Sequence, residues 1–161
     1  MPHQVSHLLD EEHNGTLELL TSLEAALPRW ARAAAGIDED GIRLVRKLHE
    51  HLAHHVPRHF GFEEQELFPR LAEAGEGDLC ELLTEEHVAI NQVIAELLPL
   101  AARVGALDAP SLAALKRGIG ELIERLRSHI DKETMALGPA CDDYLDDDVD
   151  QELAFGYATS T

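Results

Sequence analysis

Apolar residues return every three or four positions along most of the chain, in four long runs parted by short breakers. This recurrence predicts four amphipathic helices. The first is expected from about Val5 to Ala34, with Leu9, His13, Thr16, Leu17, Leu20, Leu23 and Leu27 on its inward stripe and Pro28 as a kink or a stop. Gly36 and the acidic run Asp38-Glu39-Asp40 mark a fresh helix start. The second helix is expected from about Glu39 to Ala74, its inner face carrying Ile42, Val45, Leu48, Leu52, Val56, His59, Glu63 and Leu67. Pro57 falls inside that pattern and should bend or interrupt it locally, with the helix continuing beyond. After Gly75-Glu76-Gly77, a third helix is expected from about Asp78 to Val104, with His87, Ile90, Ile94, Leu97 and Leu98 on one stripe. The fourth runs from about Pro110 to Leu137, with Leu112, Leu115, Ile119, Leu122, Leu126, His129 and Glu133 inward, and Gly138-Pro139 as its end.

Short loops between long helices favour antiparallel neighbours, so the expected fold is all-α, an up-down-up-down four-helix bundle. At 161 residues the chain is read as one domain, with the bundle over about 5–137 and an acidic C-terminal tail over 138–161. That tail has room for a short fifth helix near Tyr144-Leu145, and its last ten residues or so are expected to be mobile.

Two pairs of inward polar residues repeat a spacing. His59-x-x-x-Glu63 and His129-x-x-x-Glu133 each set a carboxylate about one helical turn beyond an imidazole, on the same face. The two other stripe histidines follow matching tags, Leu8-Leu9-Asp10-Glu11-Glu12-His13 and Leu82-Leu83-Thr84-Glu85-Glu86-His87. The halves therefore look duplicated, with His13 and His87 74 positions apart and His59 and His129 70 apart. A lone histidine on an apolar face is ordinarily a hydrogen-bonded core residue, and a lone His-x-x-x-Glu pair a surface contact. Six such groups, all on inward stripes, are different. Unpaired buried carboxylates are costly, and a multivalent cation offsets that cost.

Four imidazoles and two carboxylates exceed the tetrahedral demand of zinc, which stays the alternative, and calcium and magnesium prefer oxygen. Two iron ions fit best, each taking two histidines, with Glu63 and Glu133 bridging them beside an oxo or hydroxo group. His55, one turn before His59, is open to two readings: support for a ligand, or a substitute ligand if Pro57 shifts the register. Glu12, Glu64 and Glu86 are placed to orient ligand imidazoles, or else simply line an acidic surface. His49, His51 and His54 are expected to be solvated, His3 and His7 to sit near a frayed end, and Trp30 and Tyr144 are candidate shields for the site.

Composition narrows the partners. Apolar residues are 45% but aromatics only 4%, which favours helices built on Leu, Ala, Ile and Val. A formal charge of −18 should repel nucleic acid and anionic membranes, so neither is expected as a partner, while cations would be drawn in. The two cysteines, Cys80 and Cys141, lie far apart and read as free thiols. No apolar run approaches the ~20 residues that span a bilayer, and the start of the chain does not read as a signal peptide. A cytoplasmic location is the expectation by elimination.

The residues His13, His59-Phe60-x-x-Glu63-Glu64, Leu67-Phe68-Pro69, His87 and His129-x-x-x-Glu133 resemble the hemerythrin-like, or HHE cation-binding, family over roughly residues 5 to 137. That resemblance implies a four-helix bundle around a non-haem diiron centre. Two positions depart from the oxygen-carrying hemerythrins: Asn91 stands where a second third-helix histidine is expected, and Glu133 follows its histidine by four rather than an aspartate by five, where Thr134 stands. The pattern is closer to the branch linked to peroxide, nitric oxide or iron redox chemistry than to reversible oxygen carriage. The expected function is therefore redox chemistry on peroxide, O2 or NO, catalase-like or ferroxidase-like, with an electron donor the sequence does not identify. The alternatives are an O2-binding, storage or sensing module, or an iron donor.

Overall fold

The computed structural model describes residues 3–32 and 36–160. Its elements are helical, with no strand among the described residues. Helix α1 (Gln4–Arg32) runs through Pro28; its expected end near Ala34 lies outside the described residues. Next comes a long rod of α2 (Glu39–Glu50), α3 (Val56–Phe62) and α4 (Phe68–Leu71), joined by π-helical turns at His51–His55 and Glu63–Leu67. A third π-helical turn, Ala72–Glu76, contains the corner into α5 (Gly77–Ala102). Gly75 takes a φ of 109° there, a left-handed conformation open to glycine without steric cost. A short 3-10 turn, Val104–Ala106, leads to α6 (Ala109–Lys132). A π-helical turn at Glu133–Leu137 connects α6 to α7 (Gly138–Tyr144), and α8 (Asp147–Thr159) closes the chain.

One expectation is met and two are corrected. The rod continues past Pro57 after a local π-helical turn, as expected, whereas Gly138-Pro139 does not end the fourth helix. Pro57, Pro69 and Pro139 each lie in the first two residues after a π-helical turn. A proline lacks the N–H and crowds the carbonyl four residues back. The wider π turn re-routes the bonds at that point, so the rod continues. In both halves the proline stands six residues beyond the glutamate of the His-x-x-x-Glu pair, and in both halves that glutamate opens the π turn.

The second correction concerns residues 138–160, which form two helices, α7 and α8, where a tail with one short helix and a mobile end is expected. Buried Asp150 of α8 accepts hydrogen bonds from the Gln4 and Val5 N–H groups at 2.9 Å each. Asp142 of α7 accepts from the His3 N–H at 2.8 Å and the Ser6 hydroxyl at 2.7 Å. The acidic residues thus satisfy the orphan N–H donors that open α1 and complement its dipole. His3 is tied down by the same contacts. Elsewhere, Asp38, Asp108 and Asp146 cap α2, α6 and α8 on the N–H groups of Gly41, Ser111 and Val149. Gly41 also admits a close neighbour, since a Cβ there would stand 2.6 Å from the Trp30 indole nitrogen.

Two apolar clusters fill the interior. One includes Leu20, Leu23, Leu48, Leu52, Phe60, Ile90, Leu97, Leu115 and Leu122. The other includes Val5, Leu9, Phe62, Leu67, Leu83, Leu137, Leu153 and Tyr157. Along α1 and α5 the chain passes from the second cluster to the first; along the rod and α6 it passes back. That alternation is the up-down-up-down order. His13, His59, His87 and His129 each fall at the crossing between clusters.

Candidate metal centre

The six predicted residues meet in that layer. All are buried, Glu63 and His87 at 0% exposure and none above 6%. Glu133 divides its carboxylate between two histidine pairs. Its Oε2 faces His13 Nε2 at 2.7 Å and His59 Nε2 at 3.8 Å. Its Oε1 faces His129 Nε2 at 2.6 Å and His87 Nε2 at 3.8 Å. Glu63 Oε1 lies between the pairs, 3.4 Å from His59 Nε2 and 3.3 Å from His87 Nε2. Two donor groups follow, each with its ligand atoms within 4.8 Å of one another: Glu63, His87, His129 and Glu133 on one side, and His13, His59 and Glu133 on the other.

These atoms crowd together, with His87 Nε2 and His129 Nε2 3.1 Å apart. Both oxygens of Glu63, both oxygens of Glu133 and both ring nitrogens of His13 are buried without a well-aligned hydrogen bond. A buried polar atom left in that state costs on the order of 1–3 kcal/mol, more if charged. A cation removes the deficit. Imidazole and carboxylate in this ratio suit first-row transition ions and not calcium or magnesium. The residues therefore fit a pair of such ions.

Electrostatics inside the cage are uneven. Burial raises the Glu63 carboxyl well above the usual range, and the neighbouring Glu133 charge adds to it. Burial would do the same to Glu133, but the four surrounding imidazoles hold it well below that range. Burial lowers His59. It would lower His129 too, yet contacts with Glu133 and Glu86 carry that imidazole above its ordinary value.

Of the three glutamates placed to orient ligands, one does so. His129 Nδ1 donates to Glu86 Oε1 at 2.9 Å, which turns Nε2 into the cage, and Lys132 holds the other Glu86 oxygen. Glu64 stays 3.8 Å from His87 Nδ1, beyond hydrogen-bond reach. Glu12 bonds to His55 and Tyr157. Asn91 is exposed and outside the cage. Neither candidate shield covers the site: Trp30 packs in the first apolar cluster, and Tyr144 is 49% exposed. The covering rings are Phe60, stacked on His87 at 3.7 Å and edge-on to His129 at 5.7 Å, and Phe68, 5.9 Å from His87. Phe60 could have been found from its place beside His59 in the motif; no local signal marked Tyr157. His51, expected in solvent, is part-buried with Nε2 3.0 Å from the Thr16 hydroxyl, whereas His54 is exposed as expected.

An antiparallel helical bundle with a His/Glu cage at mid-height defines a class, the cation-binding four-helix proteins. Residues 4–141 match the family model described as the hemerythrin HHE cation binding domain, and the chain belongs to that family. No curated protein matches the chain. No helix among the described residues is long and apolar enough to cross a membrane.

Proposed function

We propose that the cage holds two iron ions and that the protein carries out redox chemistry on a small oxidant, with peroxide first, then O2 and NO. One observation carries this reading: Glu133 presents one oxygen to each histidine pair while Glu63 lies between them. So placed, both carboxylates would be within reach of an ion on either side. Paired iron supplies electrons by moving between its ferrous and ferric states. The chain's own residues supply the rest. Glu86 fixes the tautomer of His129. Phe60 and Phe68 keep water from the His87 side. The exposed position of Asn91 leaves two histidines on each side, a balance that favours turnover over reversible oxygen carriage.

The test is metal analysis of freshly purified protein, with absorption spectra before and after peroxide. The expected result is two irons per chain, near-ultraviolet and visible bands that respond to peroxide, and oxygen release or ferrous oxidation above that of free iron. Two irons without turnover, but with colour that reverses under vacuum, would favour oxygen storage. Faster iron release to an apo-acceptor than to a chelator would favour an iron donor. Zinc, or no metal, would overturn the reading.

A further inference from the structure

Beside the cage lies a second convergence of ligating groups. Glu12 precedes the cage residue His13 on α1, and its Oε2 is 2.9 Å from His55 Nε2. Its other oxygen accepts from the Tyr157 hydroxyl. Ligand atoms of Glu12, His55 and His59 lie within 4.8 Å of one another, the same closeness found among the cage groups. Three histidines of the rod, His51, His55 and His59, stand in file. His51 stacks on His55 at 4.4 Å between ring centroids, and His55 on His59 at 6.2 Å. The π-helical turn before Pro57 carries the first two. The file passes from part-exposed rings to a buried one, with His55 at 29% and His59 at 7% side-chain exposure.

Helix support alone does not account for this arrangement. Glu86 shows what an orienting glutamate does: it accepts from the ring nitrogen of a cage histidine. Glu12 accepts from His55, which lies outside the cage. A second observation concerns the space between the two groups. A small cavity of about 20 Å³ is lined by His13, Thr16, His55, Val56, His59 and Phe60, among others. His13, more than nine-tenths buried, lines it, with its Nε2 directed at the cage glutamate Glu133 at 2.7 Å. Such a void has room for about one water-sized species, and it joins the outer group to the inner one.

We propose that Glu12, His55 and His59 form an outer site for a divalent first-row cation, from which the ion passes through His59 into the cage. It rests on the two-ion reading above, for which the cation is ferrous iron. His59 is the shared ligand, so the ion exchanges one imidazole-bound position for another without entering bulk water. Tyr157 holds the Glu12 carboxylate in place, with the Arg58 guanidinium 4.0 Å over its ring. Tyr157 sits on α8, beyond the residues that match the family model. The surrounding charge of −18 favours cation arrival.

Cobalt(II) is the probe, since its visible bands report ligation directly. In rapid mixing with metal-free protein, His55→Ala is expected to slow cobalt entry at least ten-fold while the final number of cage ions stays at two. In a Glu63→Gln/Glu133→Gln double variant, checked for folding by circular dichroism, one cobalt is expected to remain, and adding His55→Ala should abolish it. Entry at the native rate in His55→Ala, or no ion in the double variant, would overturn the outer site. Should native protein fail to take two ions while the double variant keeps one that depends on His55, the cage reading falls and the outer site stands.

Discussion

Glu63 and Glu133 face one buried space from opposite sides of the bundle, and each opens a π-helical turn in its own helix. They differ in charge. Glu63 is pushed towards the protonated form, whereas Glu133 is held ionised by four imidazoles. Their amide variants should therefore separate stability from binding. Glu63→Gln mimics the protonated acid and should destabilise the metal-free protein less than Glu133→Gln does. Glu133→Gln removes the charge the imidazoles surround and should cost on the order of 1–3 kcal/mol. Both should hold fewer than two ions. Denaturant melts of the metal-free proteins, paired with metal analysis, check the contrast.

Loading should release protons. A metal ligand must be deprotonated, and in the metal-free cage Glu63 and His129 are both shifted upward. Because the metal-free form binds more protons than the loaded one, metal affinity should rise with pH. An indicator in weak buffer should record net acidification on cobalt addition. Affinity that is flat between pH 6 and 8 would contradict the protonated cage.

The latch between chain ends should fail in acid. Asp142 lies below its ordinary range: its slight burial acts upward, but bonds from the His3 N–H and the Ser6 hydroxyl outweigh it. A lowered carboxylate contributes stability that is present above the unfolded value, about 3.8, and is lost as pH falls through the folded one. Asp150→Ala removes two bonds to α1, one buried and one part-buried, at any pH and should cost about 1–3 kcal/mol. Hydrogen exchange at Gln4 and Val5 is the readout, and unchanged protection in the variant would refute the latch.

Both thiols should be inert in the native state. Burial pushes Cys141 up to about 12, and raises Cys80 as well. Only the thiolate alkylates readily. Iodoacetamide at pH 8 should label neither within minutes and both after unfolding in guanidinium, as mass spectrometry would show.

The helices, their antiparallel order and all six cage residues were legible because each signal is local. A period near 3.6 places His59 and Glu63 on one stripe whatever the helix packs against. The π turns were not legible in that way. A proline reads as a break, and whether a wider turn accommodates Pro57 or Pro139 depends on the packing around it.

By itself, then, the sequence determined which side chains each helix turns inward, because that follows from backbone geometry and the cost of burying polar groups alone. The tertiary structure decided which Glu133 oxygen faces which histidine pair, that Phe60 covers His87, that Asp150 caps the start of α1, and that Tyr157 reaches Glu12 from 145 positions away. Those contacts join residues with no fixed spacing. They form only when separate helices pack, and packing responds to the shape of the whole core.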